Sequence, residues 1–255
     1  MIQSAERISQ DEASDNYVFQ RSILAYHKAG EMVSGRVLEI GTGSGYGIEI
    51  VSPVADHFMT IDKTPPSADL YQGKPGVVFK QLSVPPLEGI PSESFDYVIS
   101  FQVIEHIKDD VHTIAEIHRV LKSGGKLIIS TPNKKMSLTR NPWHVREYSP
   151  EDFKRLLGCV FSSVEALGVF GNEKVLEYYE DNRKSVQAVL KYDILKLNRN
   201  LPRWMLKLPY DIMNRRNRNK LLRNNSVLTT SIRMEDYYFG KADDSSFDLY
   251  YIAEK

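Results

Sequence analysis

Residues 37–47 read Val-Leu-Glu-Ile-Gly-Thr-Gly-Ser-Gly-Tyr-Gly. An apolar run enters four glycines, Gly41, Gly43, Gly45 and Gly47, with Glu39 two residues ahead of the first. A second apolar run, His57–Ile61, ends in Asp62, about twenty residues after the cluster. This is the layout of a buried strand that turns sharply into a helix over a nucleotide, with an acid at the next strand end to accept ribose hydroxyls. Glycines serve the turn because they adopt positive φ and let backbone approach a ligand.

The spacing narrows the ligand. A pyrophosphate-binding loop places its third glycine where this chain has Tyr46; the glycines here fall instead at 41, 43 and 45. A nucleoside without phosphate, such as S-adenosylmethionine, does not need the loop amides aimed at an anion. Glu39 agrees, because a carboxylate suits a methionyl ammonium and repels a pyrophosphate. The competing reading is a glycine-rich turn with no ligand, and Glu39 and Asp62 in register weigh against it.

With 255 residues and 42% hydrophobic content, the chain suits one large α/β domain, or one with an insertion. Net charge is zero, so nothing global points to nucleic acid. The single cysteine, Cys159, excludes an internal disulfide and fits a reducing, cytoplasmic setting. Residues 1–7 lack the apolar core of a signal peptide, and no run is long and apolar enough for a membrane span. Charge is unevenly spread: residues 196–223 hold nine Lys or Arg against one acid, Asp211, leaving an acidic body with a basic arm.

Periodicity predicts a helix over 14–33 capped by Ser14, strands at 36–41, 57–62 and 77–81, and a fourth in the run ending at Ser100. A helix over 109–122 stops at Ser123-Gly124-Gly125, and a strand over 126–130 enters Thr131-Pro132-Asn133. Ser149-Pro150-Glu151-Asp152 reads as a helix start, followed by strands within 160–169 and at 248–253. Alternating strands and helices imply a parallel sheet covered on both faces. Ligands of such sheets bind at the carboxyl ends of the strands, which gathers the glycine loop, Asp62, residues 100–106 and residues 131–133 on one edge.

Three blocks, residues 37–45, 94–107 and 120–133, together resemble the class I S-adenosylmethionine-dependent methyltransferase family, nearest its ubiquinone-type O-methyltransferase branch. The resemblance spans about residues 14–170 and the last strand. It implies a Rossmann-like seven-stranded, mostly parallel sheet with its last strand antiparallel. By the same similarity Glu39, Gly41, Thr42, Gly43 and Gly45 line the methionyl part of the cofactor. Asp62 holds the ribose, Lys63 lies beside the adenine, and Phe101 and Gln102 close over the cofactor. The chain departs from the pattern after the third strand, where Ser83 stands in place of an acid that binds the adenine amino group.

Methyl transfer from a sulfonium draws much of its catalysis from orientation and needs a base only when the acceptor arrives protonated. Histidine suits that task near neutral pH. His144, in Asn141-Pro142-Trp143-His144-Val145-Arg146-Glu147-Tyr148, is the first candidate, with a structural tie for that loop as its alternative. His106 is the second, with helix packing as its alternative. No spacing such as His-x-x-x-His points to a metal, so none is expected.

Residues 171–245 exceed the short connection a minimal member needs and are expected to form a helical basic insertion, a cap on a core of 1–170 and 246–255. Glu173–Leu197 has helical apolar spacing that includes Ile194. Arg203–Arg216 interleaves Trp, Met and Leu with Lys and Arg. That composition fits a solvated helical cap, a lid for an anionic small or lipid-linked acceptor, or peripheral membrane contact at the inner membrane face. RNA is the weakest fit, because few aromatics accompany the arginines. Aminopropyl transfer on the same fold would need a denser acidic site. A non-catalytic cofactor-binding regulatory module, or an N-methyltransferase, stays open as an alternative.

Overall fold

The computed structural model describes residue 8, residues 10–193 and residues 197–255. The expectations for residues 1–7 and for Ile194 lie outside these. The elements are α1 (Asn16–Gly30), β1 (Arg36–Ile40), α2 (Tyr46–Ile50), β2 (His57–Asp62), β3 (Val77–Gln81), β4 (Phe95–Phe101), α3 (Asp110–Val120), β5 (Leu121–Pro132), α4 (Pro150–Gly158), β6 (Ser163–Gly171), α5 (Glu173–Leu190), α6 (Leu197–Asn200), α7 (Arg203–Asn224), α8 (Ser226–Ser231), β7 (Tyr237–Lys241) and β8 (Asp248–Glu254).

One sheet runs β3-β2-β1-β4-β5-β8-β6-β7. Neighbours from β3 to β5 are parallel, while β8 is antiparallel to both β5 and β6, as the fold class implied. The central strands are apolar on both faces because helices cover both. Val37, Ile99 and Ile128 point toward Ala25 and Tyr26 of α1; Leu38, Val98, Leu127 and Ile129 point toward Ile114 and Ile117 of α3 and Phe153 of α4. That alternation is the two-residue period of a strand.

The sheet has eight strands where seven were expected. The added strand, β7, comes from the insertion and pairs antiparallel with the outer edge of β6. Its apolar pattern is short, and the free edge of β6 supplies the hydrogen-bond partners that decide its conformation. Among the described residues the insertion therefore forms helices α5, α6, α7 and α8 and then the extended β7.

Two helix starts form as expected. The Ser149 side chain accepts the Asp152 amide at the start of α4, and Asp109 accepts the His112 amide at the start of α3. Ser14 does not cap α1. The helix begins at Asn16, and the buried carboxylate of Asp15 instead receives Arg215 at 2.9 Å and Arg218 at 2.8 Å, while Ser14 Oγ accepts from Arg215. Two of the arm's arginines thus clamp the insertion to the core rather than face solvent. Among the described residues, no helix is long and apolar enough to cross a membrane.

Candidate active site

The strand ends of β1, β2, β4 and β5 open into a cavity of about 790 Å³. The loop after β1 crosses its floor. Gly41 (φ +93°) and Gly43 (φ +54°) take left-handed backbone, and a Cβ on Gly41 would overlap the Val103 side chain. Gly41, Thr42 and Gly43 line the cavity. Gly45 and Glu39 are not among its lining residues. Gly45 opens α2, and Glu39 lies buried beneath the loop, next to Gly47, where any Cβ would strike its carboxylate.

Glu39 is linked to the loop by a chain of hydroxyls. Thr60 Oγ1 donates to its Oε2 at 2.5 Å, and Thr60 in turn lies 2.5 Å from the Thr42 hydroxyl in the loop. Burial pushes the Glu39 carboxyl up to about 7, against the Thr60 hydrogen bond that lowers it.

Asp62, at the end of β2, accepts the Gly43 amide at 3.0 Å and the Thr64 amide at 2.9 Å. It ties the glycine loop to the next strand and also lines the cavity. Lys63 and Ser83 line the same end, beside an apolar wall of Leu82, Val84, Pro85 and Pro86 suited to a flat base. Past β4, Phe101 packs edge-on against Tyr26, and Gln102 takes φ +57°, a conformation a non-glycine residue rarely adopts. The Gln102 backbone is held by its amide donating to the Ser130 carbonyl at 3.0 Å.

The two histidines occupy different places. His106 lines the cavity, and its Nδ1 lies 3.2 Å from the Trp143 carbonyl. A carbonyl only accepts, so Nδ1 carries the proton and Nε2 the lone pair. Burial lowers the His106 pKa to about 4, assisted by His144, Lys63 and Lys207, so the ring is neutral at pH 7. His144 is not on the cavity wall. It stands behind His106, ring centres 5.0 Å apart, with Nδ1 2.7 Å from Glu147 Oε1 and Nε2 2.8 Å from the Asn141 amide. It lines a second cavity of about 220 Å³ between the core and the insertion.

The grouping of several site residues was not anticipated. Glu105, His106 and His144 each bring a possible ligand atom within 4.8 Å of the others, although the sequence spacing pointed to no metal. Glu105 is buried, held by Thr131 Oγ1 at 3.0 Å, and burial raises its carboxyl to about 7. Lys207 of α7 reaches the cavity and stacks over Trp143, whose Nε1 donates to Asp211 at 3.0 Å. Arg21 and Asp248 also line it, joined by an ion pair at 2.8 Å. A charged residue opening an otherwise apolar final strand was the available signal for Asp248.

The family described as "Methyltransferase domain" matches residues 14–165. A probable S-adenosylmethionine-dependent methyltransferase of Mycolicibacterium smegmatis is 33% identical over 175 residues, covering 66% of this chain and 68% of that protein. A ubiquinone/menaquinone biosynthesis C-methyltransferase of Citrifermentans bemidjiense is 38% identical over 122 residues, covering 42% and 51%. Among solved structures, a methyltransferase from Thermotoga maritima shares the fold with TM-score 0.56 and 14% identity, covering 94% of this chain and 92% of that one.

Proposed function

The chain belongs to the class I S-adenosylmethionine-dependent methyltransferase family, and from that premise we propose that it methylates a hydroxyl of a small, anionic acceptor. S-adenosylmethionine is the methyl donor, and the residues present fit it. In support of this, Asp62 lines the cavity with carboxylate oxygens able to accept ribose hydroxyls, Leu82 and Val84 offer apolar surface for an adenine, and Gly41 and Gly43 have no side chains to fill the space a methionyl group would take. When bound, the donor supplies an electrophilic methyl with a neutral thioether leaving group. The chain's own contribution is orientation, beside an apolar wall of Phe101, Val103, Ile107 and Trp143.

One observation supports the anionic acceptor above the others. Lys63, Lys108 and Lys207 line the cavity, and none makes an ion pair among the described residues. The lining carries Arg21, Lys63, Lys108 and Lys207 against Asp62, Asp109 and Asp248, of which Asp248 pairs with Arg21. The unbalanced positive charge suits a carboxylate or phosphate on the acceptor. Neutral His106, presenting Nε2, suits acceptance of a hydrogen bond from that acceptor.

The test is calorimetric binding of S-adenosylhomocysteine followed by labelled-methyl transfer to 3,4-dihydroxybenzoate and to catechol. Preference for the charged compound supports the reading, and equal use of both rejects the anionic class.

A second reading within this class concerns where the acceptor resides. Trp204, Met205 and Leu208 are exposed on the same turns of α7 as Lys207, which favours an acceptor carried on a lipid. Residues 171–245 would then serve as a cap that also touches the membrane surface. Cosedimentation with anionic vesicles, absent with neutral ones, would support this.

A further inference from the structure

Asp248 is the first residue of β8, on the edge where the parallel strands end. Its side chain is 7% exposed, and it lines the large cavity. Arg21 of α1 holds Oδ2 at 2.8 Å. Oδ1 has no partner of good hydrogen-bond geometry among the described residues, and the Gln102 side-chain amide makes the hydrogen-bond contribution to this carboxylate that lowers its pKa. A buried carboxylate oxygen left unpaired is costly, so one that is closed to solvent on a residue lining a cavity draws a ligand's donor once its side chain turns toward the cavity.

The strand order says which ligand. The donor's ribose acid is on β2 and its methionyl loop follows β1, while Asp248 lies two strands beyond β4, about 10 Å farther along the edge. It stands on the acceptor's side of the cavity.

We propose that Asp248 is the acceptor-binding base of this site: Oδ1 accepts the hydrogen bond of the acceptor hydroxyl and takes its proton during transfer. This rests on the methyltransferase reading above. The acceptor oxygen forms its bond to the methyl carbon as the carbon–sulfur bond breaks, and that electron pair stays on sulfur. The hydroxyl proton passes to Asp248 and then to solvent, which balances the lost sulfonium charge. Arg21 and Tyr17 of α1, Tyr237 of β7 and Glu105 face this carboxylate, and burial raises its pKa in spite of Arg21. That shift strengthens it as a base. His144, with both ring nitrogens engaged and off the cavity wall, is left to position the loop and His106.

The test uses full-length protein saturated with S-adenosylhomocysteine, labelled with ¹³C at aspartate carboxyls, and catechol as a neutral hydroxyl probe. The Asp248 resonance, assigned with Asp248→Asn, is expected to move and saturate as catechol is added. Asp248→Asn should bind catechol about tenfold or more weakly, with S-adenosylhomocysteine affinity unchanged. A resonance that stays still, or catechol affinity equal in the variant, overturns the proposal; where Asp248→Asn does not fold, Asp248→Glu, which also removes the Asp248 aspartate signal, serves for the assignment and the affinity. Weaker S-adenosylhomocysteine binding in the variant also overturns it, by assigning the carboxylate to the cofactor's ammonium. Wild-type protein that binds no S-adenosylhomocysteine would sink the methyltransferase reading and this proposal together.

Discussion

The Lys207 ammonium sits 3.9 Å from the centre of the Trp143 ring, and that contact joins the insertion to the loop after β5 at the mouth of the cavity. Asp211, one turn on, accepts from the Trp143 indole, and Arg203 donates to the His144 carbonyl at 3.0 Å. A basic helix that reads as solvated surface in one dimension thus places one cation at the site and spends another on its loop.

Lys207→Met should therefore raise the KM for an anionic acceptor about tenfold while leaving S-adenosylhomocysteine affinity unchanged, because the lost interaction is one charge-assisted hydrogen bond. Steady-state kinetics beside calorimetry checks this. A fall in cofactor affinity instead would place Lys207 at the donor.

Asp62→Ala removes the acceptor of two backbone amides and, on the proposed reading, of the ribose. Cofactor affinity should fall by about tenfold to a hundredfold, with about 1–2 kcal/mol of stability lost as the glycine loop loosens. Titration calorimetry and denaturant unfolding read the two effects separately.

The buried carboxyls predict a pH dependence of stability. Glu39 has a folded pKa of about 7, above its ordinary value of 4.5, so between those pH values the folded state holds a proton that the unfolded state has released. Its contribution is complete below about 4.5 and is lost as pH rises through 7. Glu105 acts in the same direction, whereas His106, lowered from 6.5 to about 4, loses its contribution as pH falls through that window. Subtracting the Glu39→Gln profile from wild type isolates the first term. The difference should decline by about 3 kcal/mol from pH 4.5 to 7, and a flat difference would refute the raised pKa.

Asp15→Asn leaves Arg215 and Arg218 without their buried partner. Breaking such a cluster costs about 3 kcal/mol. Because the loss falls on the joint between core and insertion, limited proteolysis should cut within 171–245 faster, while S-adenosylhomocysteine binding persists.

Much of this site was legible because its determinants are local. Gly41, Gly43 and Asp62 belong to one strand–turn–helix–strand unit, where backbone freedom and spacing alone bring them together. His144 was not legible in the same way. Its loop follows β5, and whether it faces the cavity depends on Glu147, Asn141 and the His106 ring, which are set by packing. The edge strand β7 was hidden because a short segment takes its conformation from the neighbour it pairs with.

By itself the sequence determined the alternating strands and helices, the glycine turn and the acid that follows, since apolar periodicity and glycine's conformational freedom act over a few residues. Tertiary structure alone decided which histidine reaches the cavity, that Arg215 and Arg218 close on Asp15, and that Asp248 brings an unpaired oxygen to its wall. These contacts join residues far apart in the chain, and burial gives them their energy, so they exist only once the sheet has assembled.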